Sequence, residues 1–178
     1  MAKSNGKRVR RWLWIGALGL ALAAAGAGGE VLLFLHADTR LPAGASRLIA
    51  DALRDGTHRW GRFDVRIAGR PFMLRVVAWS MNVRSRWTGI ATGDQAIFID
   101  RTTFSSVGGY PDQPLMEDVE LARRLCKLSR PACIASKVTT SGRRWETRGV
   151  WRTILLMWRL RWAYWRGASP HELAKAYR

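Results

Sequence analysis

A run of five apolar residues that ends directly in a histidine and an aspartate constrains the fold of this chain more than any other feature. Val31 to Leu35 has no polar alternation and is too short for a helix, which is the pattern of a parallel strand buried on both faces. His36 and Asp38 then emerge at the carboxyl edge of the sheet, where α/β proteins bind ligands. Two interpretations stay open: the pair binds a metal or a phosphate, or Asp38 belongs to a turn or caps a helix.

Strand and helix patterns alternate through the rest of the chain. Helical spacing occurs at residues 46–54, 70–87, 114–128 and 144–166, and strand patterns occur at 60–69, 96–99 and 132–140. Within 60–69, Phe63, Val65 and Ile67 alternate with polar residues, which predicts an exposed or edge strand. The alternation predicts an α/β fold with a mainly parallel sheet of about four strands, flanked by helices.

Composition favours an anionic partner. The 178 residues include 30 Lys and Arg against 13 Asp and Glu, a formal charge of +17. Such an excess attracts nucleotide diphosphates, acidic lipid headgroups or nucleic acid. The sequence shows no recognised nucleic-acid motif, so we expect no nucleic acid partner. Cys126 and Cys133 match no zinc spacing, and we interpret them as reduced thiols of a cytosol-facing protein.

Residues 1–29 are a basic, Gly/Ala-rich segment with two interpretations. The first eleven residues carry five Lys or Arg and no acid, and residues 12–29 are uncharged. One interpretation is a small-residue helix that packs on the sheet and ends at Gly28 and Gly29. The other is a signal peptide or a single-pass membrane anchor, although eleven of these eighteen residues are Gly or Ala.

Residues 146–178 are predicted to form an amphipathic helical region rich in arginine and tryptophan. Arg152, Arg159 and Arg166 recur every seven residues and are predicted to line one helix face. The other face has apolar residues at helical spacing: Trp151, Leu155, Trp158, Trp162 and Trp165. This pattern is typical of a helix that lies in a membrane interface, and it also fits tryptophans that pack on the rest of the protein.

Three stretches occur in order between residues 29 and 178: GEVLLFLHADTRLP, GDQAIFIDRTTFSSVGGYPDQPLMEDVELARRL and TTSGRRWETRGVWRTILLMWRLRWAY. Their order and spacing resemble the family-2 glycosyltransferases of GT-A fold, and more closely the small bacterial transferases described as radical-SAM/selenodomain-associated. The resemblance implies a GT-A-like, Rossmann-like domain over residues 30–145. It also implies inverting transfer of a sugar from a nucleotide-diphosphate sugar to a lipid-linked or other hydroxyl acceptor.

The resemblance implies a metal site at Asp38. The motif HAD stands where the family carries Asp-x-Asp, whose last carboxylate holds the divalent metal that bridges the donor diphosphate. Asp38 is thus the expected ligand of Mn²⁺ or Mg²⁺, which often bind one or two carboxylates together with phosphate oxygens. His36 replaces the first acid and is expected to contact a phosphate or the ribose, or to ligate Mn²⁺.

The resemblance also implies a catalytic pair. Glu117 and Asp118 match the family's Glu-Asp pair, whose aspartate is the general base that takes the proton of the acceptor hydroxyl. The alternative for both residues is stabilisation of a helix N-terminus, where carboxylates are favoured.

Six further residues are expected to bind substrate by the same resemblance: Gly93, Asp94, Gln95, Arg143, Arg144 and Trp145. The first three match a loop on the acceptor side beneath the sugar, with an ordinary turn as the alternative. The other three match the end of a Gln-x-x-Arg-Trp element in which Ser141 stands at the glutamine position. One of the two arginines is expected to contact the diphosphate in a bidentate manner.

One part of the family pattern is missing from the sequence. Family members open with a strand carrying Pro and an Asn-Glu pair, followed by a strand whose acidic residues hold the nucleotide, and residues 1–29 match neither. We therefore expect a domain that is incomplete at its N-terminus. The expectation is a cytoplasmic enzyme at the inner face of the membrane, and the alternative location is a single-pass anchor through residues 12–29. The alternative function is a truncated, inactive membrane-associated remnant or an acceptor-binding module.

Overall fold

The computed structural model describes residues 22–25 and 30–177, which form one five-stranded sheet and seven α-helices. The strands are β1 (Leu22–Ala25), β2 (Val31–His36), β3 (Trp60–Ala68), β4 (Ile97–Asp100) and β5 (Ala132–Ser141). The helices are α1 (Ala45–Leu53), α2 (Met73–Thr88), α3 (Arg101–Ser106), α4 (Glu117–Cys126), α5 (Arg143–Arg148), α6 (Val150–Trp165) and α7 (Pro170–Tyr177). A 3₁₀ turn, Gly93–Gln95, precedes β4.

The sheet is mixed and mostly antiparallel. Its strand order is β1-β2-β4-β3-β5, and among the described strands β3 and β5 are the one parallel pair. The α/β class is therefore confirmed, and the prediction of a mainly parallel sheet is wrong. The apolar run at residues 31–35 indicates burial but says nothing about the direction of neighbouring strands, and β2 runs antiparallel to both β1 and β4.

Strand β3 lies inside the sheet, so the prediction of an exposed or edge strand is wrong. Arg62 is fully buried and Asp64 nearly so, and the two form an ion pair. The Nη2 of Arg62 also donates to the backbone oxygen of Asn82 at 3.1 Å, and the Nη2 of Arg86 donates to Asp64 at 2.7 Å. Two of the three polar residues in this alternation, Arg62 and Asp64, therefore belong to a buried ionic network between β3 and α2, whereas Arg66 is exposed.

The core has two main parts, because successive strand residues point to opposite faces. Phe98 belongs to the part that contains Phe63 and Val65 of β3 together with residues of α1 and α2. Its neighbours Ile97 and Ile99 belong to the other part, which contains residues of α4. The predicted helices at 46–54, 70–87 and 114–128 are confirmed with small shifts of their ends.

The N-terminal segment falls largely outside the described residues. Leu22–Ala25 form strand β1, so the interpretation of a packed helix is wrong over those four residues. Residues 1–21 and 26–29, including most of the proposed anchor or signal peptide, lie outside the described residues. Among the helices of the described part, none combines the length and hydropathy needed to cross a bilayer.

The C-terminal region forms the three helices α5 to α7, of which α5 and α6 cover the predicted helical stretch at residues 144–166. Leu160 of α6 and Leu173 of α7 are buried together with Met116, which directly precedes α4. These contacts hold α6 beside the first turn of α4. One side of α6 therefore borders the region in which the predicted catalytic pair lies.

Candidate functional site

A cleft of about 530 Å³ lies at one edge of the sheet. Strands β2 and β5 end there, and antiparallel β4 begins there after its 3₁₀ turn. The first turn of α4 and the inner side of α6 complete the walls. The strand directions therefore bring His36, the turn at residues 93–95 and the end of β5 to the same edge.

The cleft is lined by eight of the ten residues that the sequence singled out: His36, Asp38, Asp94, Glu117, Asp118, Arg143, Arg144 and Trp145. Gly93 and Gln95 are not among its lining residues. Gln95 is fully buried, and its Nε2 donates to the Ser85 hydroxyl at 3.0 Å. Gln95 therefore supports the turn from below and is not placed to touch a substrate.

His36, Asp94 and Asp38 are joined through a threonine. The Nδ1 of His36 lies 3.1 Å from an oxygen of Asp94. The hydroxyl of Thr140 lies 3.4 Å from an oxygen of Asp38 and 3.5 Å from the same oxygen of Asp94. Thr39 donates to Thr140 at 3.1 Å. Two carboxylates thus approach one hydroxyl at the end of β5, and Asp38 lies in an exposed turn without capping a helix.

The pair of His36 and Asp94 is ionised more readily than its two members would be alone. Burial by itself lowers the pKa of His36, but the hydrogen bond and charge of Asp94, with the charges of Asp118 and Asp38, raise it above 6.5. Burial by itself raises the pKa of Asp94, but the hydrogen bond and charge of His36 lower it by more. The two residues therefore favour each other's charged form, although burial alone opposes it.

The carboxylate of Asp118 is held in place by backbone donors. One oxygen accepts from the N–H of Gly93 at 2.8 Å, and the other accepts from the N–H of Val119 at 2.7 Å. The residue before α4, Met116, has φ +63° and provides no side-chain cap. Left-handed backbone is costly for a residue with a side chain, and such strain is concentrated at functional sites. The hydrogen bond from Gly93 also ties α4 to the turn before β4, so Asp118 does more than satisfy the N–H groups of a helix end.

Glu117 has a carboxyl group whose pKa is strongly raised. Burial, followed by the negative charge of Asp118, raises the pKa of Glu117 to about 7. A carboxyl group with this pKa exchanges a proton near neutral pH, which is the property required of a general acid or base. The pair thus contains one carboxylate fixed by N–H donors and one carboxyl group poised to titrate.

Several arginines also line the cleft, and one of them was missed by the sequence analysis. Arg161 of α6 lies in the cleft wall, where burial lowers its pKa and the charges of Asp118 and Asp94 raise it in part. Arg144 lies with its guanidinium carbon 3.8 Å from the centre of the Tyr177 ring, and its Nε and Nη2 have no hydrogen-bond partner among the described residues. The sequence analysis assigned Arg161 to neither predicted face of α6. Its neighbours in sequence, Leu160 and Tyr164, lie on the inner side, and this spacing was a sequence signal that could have placed Arg161 there.

The carboxylates of the cleft fit a hard divalent cation if a substrate supplies the remaining ligands. The described residues contain no group of three or more His, Cys, Asp or Glu that could hold a metal by itself. Asp38 and Asp94 nevertheless place oxygen donors around one hydroxyl, and Mg²⁺ is typically bound through one or two carboxylates plus phosphate oxygens and water.

Comparisons with known proteins give no match: no family model, no curated protein and no solved structure matches this chain. The three sequence stretches supply every residue that lines the cleft except Thr92 and Tyr177.

Proposed function

We propose that this chain is a glycosyltransferase that moves a sugar from a nucleotide-diphosphate sugar to a hydroxyl acceptor, with inversion at the anomeric carbon. The observation that carries the proposal is the cleft itself, in which oxygen donors, the pair Glu117 and Asp118 and several arginines face one space of about 530 Å³. Carboxylates suit a metal ion and a proton, and arginines suit phosphates. The resemblance of the three stretches to family-2 glycosyltransferases supports the same function.

In this proposal the donor diphosphate lies between Asp38 and the arginines. Asp38, with Asp94 beside it, would hold Mn²⁺ or Mg²⁺, which when bound neutralises charge on the leaving diphosphate. Arg143 and Arg161, which also line the cleft, would bind the phosphate oxygens. His36 also lines the cleft and would contact a phosphate or the ribose, as the family resemblance implies.

The acceptor hydroxyl would approach the first turn of α4. Its oxygen attacks the anomeric carbon, the bond from that carbon to the diphosphate oxygen breaks, and the nucleoside diphosphate leaves with the electron pair. Asp118 takes the hydroxyl proton in this proposal, as the family resemblance implies. Glu117 is the alternative base, because its pKa of about 7 suits proton transfer near neutrality.

A binding experiment tests the donor site. Calorimetric titration with UDP and GDP, with and without Mn²⁺, is compared for the wild type, Asp38→Asn and the control Asp112→Asn. Asp112 is an exposed carboxylate that does not line the cleft. We expect Asp38→Asn to lose the Mn²⁺-dependent part of the affinity, at least roughly tenfold, and Asp112→Asn to retain it. Equal affinities of the three proteins would remove Asp38 from the donor site.

Turnover distinguishes the two candidate bases. Release of nucleoside diphosphate is measured for Asp118→Asn and Glu117→Gln at saturating donor. A general base contributes about 10² to 10⁴ in rate, so Asp118→Asn should lose that much turnover with little change in donor affinity. The opposite pattern, a loss in Glu117→Gln alone, would transfer the base role to Glu117.

A second candidate function is an acceptor-binding module that performs no transfer. It is favoured by the absence from residues 1–29 of the motifs that hold the nucleotide in the family. A chain that binds neither UDP nor GDP at any Mn²⁺ concentration would support this candidate and exclude the transferase. Both functions belong on the cytoplasmic side in this proposal, consistent with the unpaired Cys126 and Cys133.

A further inference from the structure

We propose that α6 attaches this protein to the surface of an anionic lipid bilayer without crossing it. The attachment surface, called here the tryptophan face, consists of Trp151, Leu155, Trp158, Trp162 and Trp165. The inference is independent of the proposed enzymatic function, because it rests on the outer side of α6 and not on the cleft.

The tryptophan face is exposed along the whole helix. Its five side chains are each between 58% and 78% exposed. The buried residues of α6, Thr153 and Leu160, lie on the other side, where Leu160 packs with Leu173 of α7. The interpretation that the tryptophans pack on the protein is therefore wrong for the described residues. Contiguous apolar surface of this kind marks a binding surface for a membrane or a protein.

Arginines border the tryptophan face and supply its charge. Arg152, Arg159 and Arg166 each follow a tryptophan directly, so they lie about 100° further round the helix and not on the opposite side, as the sequence analysis predicted. All three are exposed, and none has an ion-pair partner among the described residues. Arg166 lies 5.7 Å from the centre of the Trp162 ring. The positive charge is thus free to meet an anionic surface.

A bilayer surface suits this combination better than a transmembrane position. Indoles are favoured at the level of lipid headgroups, and arginines beside them contact anionic phosphates while remaining hydrated. Helix α6 has 16 residues, fewer than the roughly 20 that spanning takes, and it carries arginines along its length. The formal charge of +17 on the chain complements an anionic bilayer as well.

The same helix carries cleft residues on its inner side. Met157, Leu160 and Arg161 line the cleft, whereas Trp158 and Trp162 belong to the tryptophan face. A protein held to a bilayer through the tryptophan face would keep one wall of its cleft within a helix diameter of the lipid, roughly 10–12 Å.

The experiment is co-sedimentation of the full chain with vesicles of phosphatidylcholine, with and without phosphatidylglycerol, at low and high salt. We expect the wild type to bind the anionic vesicles and to be released by salt. Trp158→Ser/Trp162→Ser should lower partitioning at least roughly tenfold. Replacing the three bordering arginines by glutamine should lower vesicle partitioning on the order of 100-fold at low salt. The part of the salt dependence that comes from these arginines should then be absent.

Two matched variants separate this surface from general stickiness. Trp79 and Trp87 of α2 are 65% and 80% exposed, so Trp79→Ser/Trp87→Ser removes two equally exposed indoles elsewhere. A second variant replaces the basic residues of the N-terminal segment, Lys7, Arg8, Arg10 and Arg11, by glutamine. When either variant is combined with Trp158→Ser/Trp162→Ser, the tryptophan substitutions are expected to lower vesicle partitioning by the same factor as they do in the wild type.

Circular dichroism and thermal unfolding confirm that each variant is folded before its partitioning is compared. The proposal is overturned if the wild type does not bind anionic vesicles, or if it binds uncharged vesicles equally well. It is also overturned if Trp158→Ser/Trp162→Ser binds like the wild type, or if Trp79→Ser/Trp87→Ser loses as much. Binding to nucleic acid with no binding to vesicles would point to a different partner and would equally exclude it.

Discussion

The imidazole of His36 lies directly against Gly93, so closely that a Cβ atom on Gly93 would be 2.0 Å from its Nε2. The N–H of the same glycine donates to Asp118. One residue without a side chain therefore lets three parts of the cleft meet: the end of β2, the turn before β4 and the first turn of α4.

Replacing Gly93 by alanine is expected to lower the free energy of unfolding by about 1–3 kcal/mol, because His36 has to move out of a packed position. The measurement is urea denaturation of Gly93→Ala, His36→Ala and the double variant. Removing the imidazole should abolish most of the cost of the new methyl group. Strictly additive effects would show that the clash with His36 is not the cause.

Replacing Asp64 by alanine is expected to cost about 3–5 kcal/mol of stability, because it leaves the fully buried charge of Arg62 without its partner. The matched control is Asp51→Ala, which breaks an exposed ion pair with Arg54 that should contribute less than about 1 kcal/mol. Urea denaturation of both variants provides the comparison. Similar losses in the two would contradict a buried network between β3 and α2.

Glu117 is expected to make stability depend on pH. Its pKa is raised from 4.5 to about 7 in the folded protein, so folding favours its protonated form. Its favourable contribution is complete below pH 4.5 and is lost as the pH rises through 7. Relative to Glu117→Gln, the free energy of unfolding of the wild type should therefore fall by on the order of 2 kcal/mol between pH 4.5 and 7. Denaturation of both proteins over a pH series measures the difference, and a constant difference would show that Glu117 does not titrate in that range.

Arg161→Gln is expected to weaken nucleoside diphosphate binding by roughly 10- to 100-fold, because it removes a charged donor from the cleft wall. Arg159→Gln is the matched control, since Arg159 lies two residues away on the same helix and is exposed to solvent outside the cleft. Calorimetric titration without vesicles compares the two. Equal affinities would place the diphosphate away from α6.

The linear pattern determined much of the local structure and most of the candidate site. Apolar spacing located α1, α2, α4 and the helices after β5. His36 and Asp38 could be singled out because they follow a buried strand, whereas Asp94 and the pair Glu117 and Asp118 were singled out by the resemblance to family-2 glycosyltransferases.

Only the tertiary structure decided how the strands are arranged and what the polar residues do. Strand direction depends on which partners a strand finds far away in sequence, and the antiparallel pairing of β2 with β4 left no local mark. Arg62 in a strand, like Arg161 in a helix, looks the same in sequence whether it faces water, a buried carboxylate or a cleft. Burial is a property of the surroundings of a side chain. For that reason the pattern of residues determined where polar groups occur along the chain, and packing alone determined which of them became structural, which line the cleft and which tryptophans remain exposed.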